Sequence, residues 1–215
     1  MSWSLNELEA EVKKAIRGAG LPWGLAEEGG KAIRWLAARG VDPIPALNDI
    51  LARHDRHQDI TTAISMQAGR WQGEMAMCPI ALGAALSDGS HLLLAKPFVA
   101  GRVAQPLLLI PFAAAAARIL KRALRLDLNG MEIMLTERGD PCSEILAVAA
   151  DLPEMRCEIA ATRLPVRQFR PASLSGIDVD PVCWASLSAY VHRTYVPASE
   201  RSRREGAGAG LIDND

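Results

Sequence analysis

Leu124-Arg125-Leu126-Asp127-Leu128-Asn129-Gly130-Met131-Glu132-Ile133-Met134-Leu135 is the stretch on which the fold class turns. An Asn-Gly dipeptide between two alternating apolar runs predicts a two-residue β-turn, because both central residues of that turn need positive φ. Pairing across it sets Leu128 against Met131, Leu126 against Ile133 and Leu124 against Leu135, all on one face. Register and burial therefore agree. The opposite face sets Asp127 against Glu132, two like charges, which is unfavourable unless Arg125 or something bound compensates.

Working outward, a second hairpin is predicted from Ser143 to Asp151 and Met155 to Arg163, around Leu152-Pro153-Glu154. Leu164 to Val179 reads as a connection rich in Pro and Arg, and Asp180-Pro181 caps a last helix carrying Trp184, Leu187 and Val191. Upstream, Phe112 to Leu120 is predicted as a helix with Arg118, Lys121 and Arg122 toward its end, where the dipole favours cations. His91 to Ala95 and Pro106 to Ile110 read as buried strands. Between Glu74 and Leu86 two readings stay open: a short helix opened by Pro79, or a strand broken at Gly83. Arg53 to Gly73 is polar and has no decisive period.

The first fifty residues read as helices. Ser4 and Glu7 form a capping box ahead of a stripe of Leu5, Leu8, Val12, Ala15, Ile16 and Ala19, with Glu9 and Lys13 as a favourable pair. Pro22 opens a second helix that Gly40 stops, and Asp42-Pro43 begins a third. Gly29-Gly30 in the middle of the second helix each cost up to ~1 kcal/mol against alanine. Close approach of another backbone, a kink or a ligand would explain them. The fold class is α+β: a helical N-terminal unit, a mainly antiparallel hairpin-rich sheet, and a closing C-terminal helix and tail.

The chain has 215 residues, 49% of them apolar and 23% charged, and a net charge of −1. One domain is expected over 1–215, with a helical unit at 1–55, a sheet-rich core at 74–163 and a C-terminal helix and tail at 180–215. The near-neutral charge gives no basic field for nucleic acid. No secretory signal is visible, and the apolar run from Pro106 to Ala117 is too short to span a bilayer. The four cysteines, Cys78, Cys142, Cys157 and Cys183, show no C-x-x-C spacing. A cytoplasmic protein with free thiols, making no membrane contact, is the expectation. A homo-oligomer is compatible with everything above.

Trp23-Gly24-Leu25-Ala26-Glu27-Glu28 with Arg34-Trp35-Leu36, then Cys78-Pro79-Ile80, Gly83-Ala84 and Ser87-Asp88, then Gly206-Ala207-Gly208-Ala209-Gly210 before Asp213-Asn214-Asp215, resemble one family. It is the domain of unknown function 3726 family, uncharacterised and mostly proteobacterial. The resemblance spans nearly the whole chain. It implies a bacterial cytoplasmic setting and one family-wide domain, and assigns no activity.

No motif fixes a reaction or a cofactor. His54 and His57, with Asp55 and Asp59, are the nearest approach to a metal cluster, but zinc would need a third ligand, and a solvated helix end reads as well. Cys78 is a candidate nucleophile only if a base such as His91 or His192 reaches it; otherwise it is a buried thiol. Glu28 beside Glu27 and Arg34 could do acid–base work, or simply favour the helix start. Trp23 and Trp35 read as core or interface anchors. Arg201, Arg203 and Arg204, beside a Gly206–Gly210 run in which Gly206 and Gly208 can present backbone N–H groups, form a candidate anion clamp. Two functions follow: a small-molecule enzyme or binder for an anionic metabolite, or a non-catalytic accessory protein that docks a partner chain through its N-terminal helices.

Overall fold

The computed structural model describes residues 2–57, 59–64, 70–71, 75–141, 149, 152–163 and 174–195. In chain order the elements are β1 (Ser2–Ser4), α1 (Leu5–Gly18), α2 (Trp23–Ala37), α3 (Ile44–Asp55), β2 (Ile60–Thr61), β3 (Arg70–Trp71), β4 (Ala76–Met77) and α4 (Pro79–Gly89). Then come β5 (Phe98–Ala104), α5 (Ile110–Leu120), β6 (Ala123–Leu128), β7 (Met131–Leu135), β8 (Glu154–Thr162), β9 (Gly176–Asp178) and α6 (Pro181–His192). The fold is α+β.

The Asn-Gly turn forms as its chemistry requires, with φ of 53° at Asn129 and 97° at Gly130. Leu124 pairs with Leu135, Leu126 with Ile133 and Leu128 with Met131. Leu124, Leu126, Leu128, Ile133 and Leu135 are fully buried, and Met131 is half-buried at the mouth of the turn. The like-charged pair is resolved by Arg125. Its guanidinium reaches Glu132 at 2.8 Å and Glu158 on β8 at 2.9 Å, with Asp127 at 3.8 Å.

The large sheet runs β2-β4-β5-β8-β6-β7, with β3 also paired to β5. Its long pairings, β5–β8, β8–β6 and β6–β7, are antiparallel, while the short strands β2, β3 and β4 join in parallel. The sheet is therefore mixed, parallel from β2 to β5 and antiparallel from β5 to the β7 edge. β8 matches the predicted strand over Met155–Arg163. Its described partners are β5 and β6, and the segment expected to pair with it, from Ser143 to Asp151, lies outside the described residues except for Ala149. Two expectations need correction. Ser90–Leu94 and Pro106–Leu109 are short 3₁₀ turns, where strands were predicted at His91–Ala95 and Pro106–Ile110. Pro79 opens helix α4, which decides between the two readings there. β5 and the two-stranded β1–β9 pair were not anticipated.

The N-terminal helices form as their stripes dictate. Ser4 and Glu7 exchange the capping-box bonds, and Leu8, Val12, Ala15 and Ile16 are buried. The Glu9–Lys13 pair closes at 2.6 Å. Gly29 lies under α1 and α4: a methyl group there would stand 2.5 Å from Ile16 Cδ1 and 3.3 Å from Ile80 Cδ1. Close helix packing is the reason for that glycine. Asp180 caps α6 by accepting from Val182 and Cys183 N–H groups. One cluster of buried side chains runs from Leu8 to Val191. Among the described residues no helix is long and apolar enough to cross a membrane.

Candidate functional site

α2 and α5 border an open groove of about 400 Å³. The spacing of Glu28, Lys31/Ala32 and Trp35 along α2 puts them on one helix face, one turn apart. Pro111, Ala115 and Arg118 do the same on α5, and Phe112 completes the floor. Phe112 is almost fully buried because its ring lies on Gly83 of α4, where even a methyl group would overlap it.

Charge is distributed unevenly along the groove. Toward the start of α2, Glu28 and Lys31 form an ion pair at 2.6 Å. The Glu28 carboxylate holds the Lys31 ammonium above its usual pKa, so this pair is closed and close to neutral. One turn beyond Trp35, Arg39 lies over the indole with its guanidinium 3.7 Å from the ring centroid. It donates to the Trp35 carbonyl and reaches Asp140 at 3.3 Å. Burial pulls its pKa below the ordinary arginine value, the Asp140 carboxylate opposes this, and the nearby charge of Arg118 adds to the fall. Arg39 Nε is buried with no hydrogen-bond partner among the described residues. Arg118 is exposed, and no described carboxylate pairs with it. The turn that carries Asp140 packs against α5 beside it: a Cβ at Gly139 would meet Arg118 Cγ at 3.0 Å. Arg118 thus lines this end of the groove, and the Arg39–Asp140 pair lies just outside the lining, behind Trp35.

The residues singled out from the sequence are scattered. Glu28 lies in the groove, tied to Lys31. Cys78 is fully buried at the start of α4, and burial pushes its thiol up to about 11. His91 and His192 are both exposed, and among the described residues neither forms a hydrogen bond with it. Cys157 is likewise buried and pushed up to about 12. His54 and His57 do not share a helix face, since α3 ends at Asp55 and His57 takes the left-handed conformation with φ of 52°. His54 is half-buried, and its Nε2 has no hydrogen-bond partner among the described residues. Asp55 is held by Arg193 at 2.5 Å and Asp59 by Arg102 at 2.9 Å. Among the described residues no group of three His, Cys, Asp or Glu side chains could hold a metal ion. Arg201, Arg203, Arg204, Gly206 and Gly208 lie outside the described residues.

Trp3 stacks on Trp184 with ring centroids 3.8 Å apart, which joins β1 to α6. Trp35 is engaged by Arg39, and Trp23 is the exposed tryptophan of α2 at 57%. Lys31, Arg39, Phe112, Arg118 and Asp140 were not read as a site, since only the tertiary fold brings them together. The one local hint was Arg118 in the last turn of a helix otherwise made of alanine and other apolar residues.

Residues 3–74 match the model of a family described as protein of unknown function (DUF3726). No curated protein and no solved structure matches the chain. The match covers α1, α2 and α3, and with α2 one wall of the groove. It stops before Cys78, Gly83 and the C-terminal glycine run, which therefore lie outside the matched segment although they helped suggest the same family.

Proposed function

Starting from a chain that belongs, through residues 3–74, to the DUF3726 family, we propose that it binds a small anionic metabolite in the groove between α2 and α5. The observation that carries this reading is Arg118, a guanidinium without a described carboxylate partner, set beside Arg39 at one end of an apolar groove. An arginine fork aimed at a concave site suits a carboxylate or phosphate. A volume of about 400 Å³ is the size of a metabolite site rather than of a polymer channel. The reading is one of binding. Cys78 is fully buried and its thiol is hard to ionise, while Glu28 is occupied by Lys31. A bacterial cytoplasmic setting, as the family resemblance implies, agrees with such a ligand.

Isothermal titration of the full chain with a panel of small anions (citrate, acetate, inorganic phosphate and 4-phenylbutyrate), at constant ionic strength, tests the reading. Saturable binding of at least one of them, weakened about tenfold or more in Arg118→Gln, is expected. Arg118 is exposed, so the substitution should change stability by no more than about 0.5 kcal/mol. Binding that is untouched by the substitution rejects the site, and no saturable binding rejects the reading.

A second reading rests on Trp23. Its exposed indole, with Arg17 5.9 Å over the ring, suits docking of the N-terminal helices on a partner chain. Pull-down with Trp23→Ala against the unaltered chain separates this from the groove, which Trp23 does not line.

A further inference from the structure

Resting on the groove reading, we infer that the ligand is an amphipathic carboxylate with a single anionic head on Arg118 and an apolar body lying over Trp35 and Phe112 toward the Glu28–Lys31 pair. Four observations lead there. Between its charged ends the groove is apolar on both walls, with Ala32 and Trp35 on α2 facing Pro111, Phe112 and Ala115 on α5. A polar, multiply charged metabolite would leave that surface dry and unmatched. From Glu28 to Trp35, and from Pro111 to Arg118, each wall runs for about 10 Å at the helical rise of about 1.5 Å per residue. The body is therefore a phenyl ring with a short chain, or an alkyl chain of similar reach.

The head is singly charged because the positive end is only partly open. Arg39 is already stacked on Trp35 and paired with Asp140 at 3.3 Å. That carboxylate would repel a second negative charge on the ligand. Among the described residues Arg118 is the groove cation with no carboxylate partner, whereas Arg39 lies outside the groove lining and its Nε is buried. A planar carboxylate can take the fork with two parallel bonds. At the far end, the closed Glu28–Lys31 pair presents no net charge to attract another anionic group.

The test compares four probes on the full chain by titration: 4-phenylbutyrate, 4-phenyl-1-butanol, acetate and inorganic phosphate. We expect 4-phenylbutyrate to bind about tenfold or more tighter than each of the other three. In Arg118→Gln its dissociation constant should rise to that of 4-phenyl-1-butanol, while the alcohol is unaffected. Acetate or phosphate binding as tightly as 4-phenylbutyrate would overturn the amphipathic ligand and leave the anion site standing. The alcohol matching the acid would overturn the anionic head. Failure of every anion, citrate included, to bind saturably would remove both this inference and the reading beneath it.

Discussion

The Arg39 guanidinium lies on the face of the Trp35 indole, 3.7 Å from the ring centroid, just beyond the lining of the α2–α5 groove. The contact fixes two side chains at once. The indole covers a half-buried cation, and Trp35 itself lines the groove. Asp140, from the turn after β7, completes the clamp.

Asp140 thus supports the fold and opposes the ligand. Asp140→Asn should destabilise the protein by about 1–2 kcal/mol, since a partly buried guanidinium loses its counter-charge. The same change should tighten anion binding about two- to fivefold by removing a nearby negative charge. Urea unfolding and titration with 4-phenylbutyrate, run on one preparation, read both. A variant that loses stability and affinity together would mean that Asp140 only holds the turn in place.

Gly83 governs the groove floor. In Gly83→Ala the added methyl overlaps the Phe112 ring, which must rise into the groove. Overpacking costs about 1–3 kcal/mol, against a helix-propensity gain of up to about 1 kcal/mol. Net destabilisation with weaker binding of 4-phenylbutyrate is expected. Gly24→Ala is the control: no atom lies within 4 Å of the new methyl, and a gain of about 0.5 kcal/mol should follow. Equal behaviour of the two variants would contradict the packing at Gly83.

Arg125 is the central cation of the sheet's outer face. Asp127 stands opposite both Glu132 and Glu158, and Arg125 is the side chain that meets all three. Arg125→Met should cost about 1–2 kcal/mol, as like charges across strands are left uncompensated. Glu132→Gln added to it should recover part of the loss in a double-mutant cycle. Additive losses would show that Arg125 contributes packing alone.

The hairpin was legible because Asn-Gly, alternation and cross-strand charge all point to one register, and each is local. The strands predicted at His91–Ala95 and Pro106–Ile110 were wrong because short apolar runs bury equally well as tight helical turns. β5 was missed because Gly101 and a register shift between Ala100 and Val103 break its alternation. β1 and β9 were missed because three-residue strands some 170 positions apart carry no local signal. The groove was only half legible. Glu28 and Trp35 stood out on α2, but their cationic counterparts come from α5 and the end of α2, and Asp140 lies about 100 residues from Arg39.

His54 should set part of the pH dependence. Burial, and then the nearby His57, hold its pKa below the ordinary histidine value. The unfolded chain therefore takes up that proton first. Stability from this group is fully present above the unfolded pKa of about 6.5 and is lost as pH falls through the lower folded value. Urea midpoints measured from pH 7.5 downward should fall over that window, and His54→Gln should flatten the fall. An unchanged slope in the variant would assign the acid sensitivity to other groups.

Amide chemical-shift mapping of the ¹⁵N-labelled full chain with 4-phenylbutyrate tests the groove most directly. Perturbations concentrated at residues 31–39, 112–118 and 136–140, saturating together and moved to about tenfold higher ligand concentration or beyond in Arg118→Gln, are the predicted result. Perturbations that saturate elsewhere on the chain, or that saturate at the same concentration in Arg118→Gln, would contradict it.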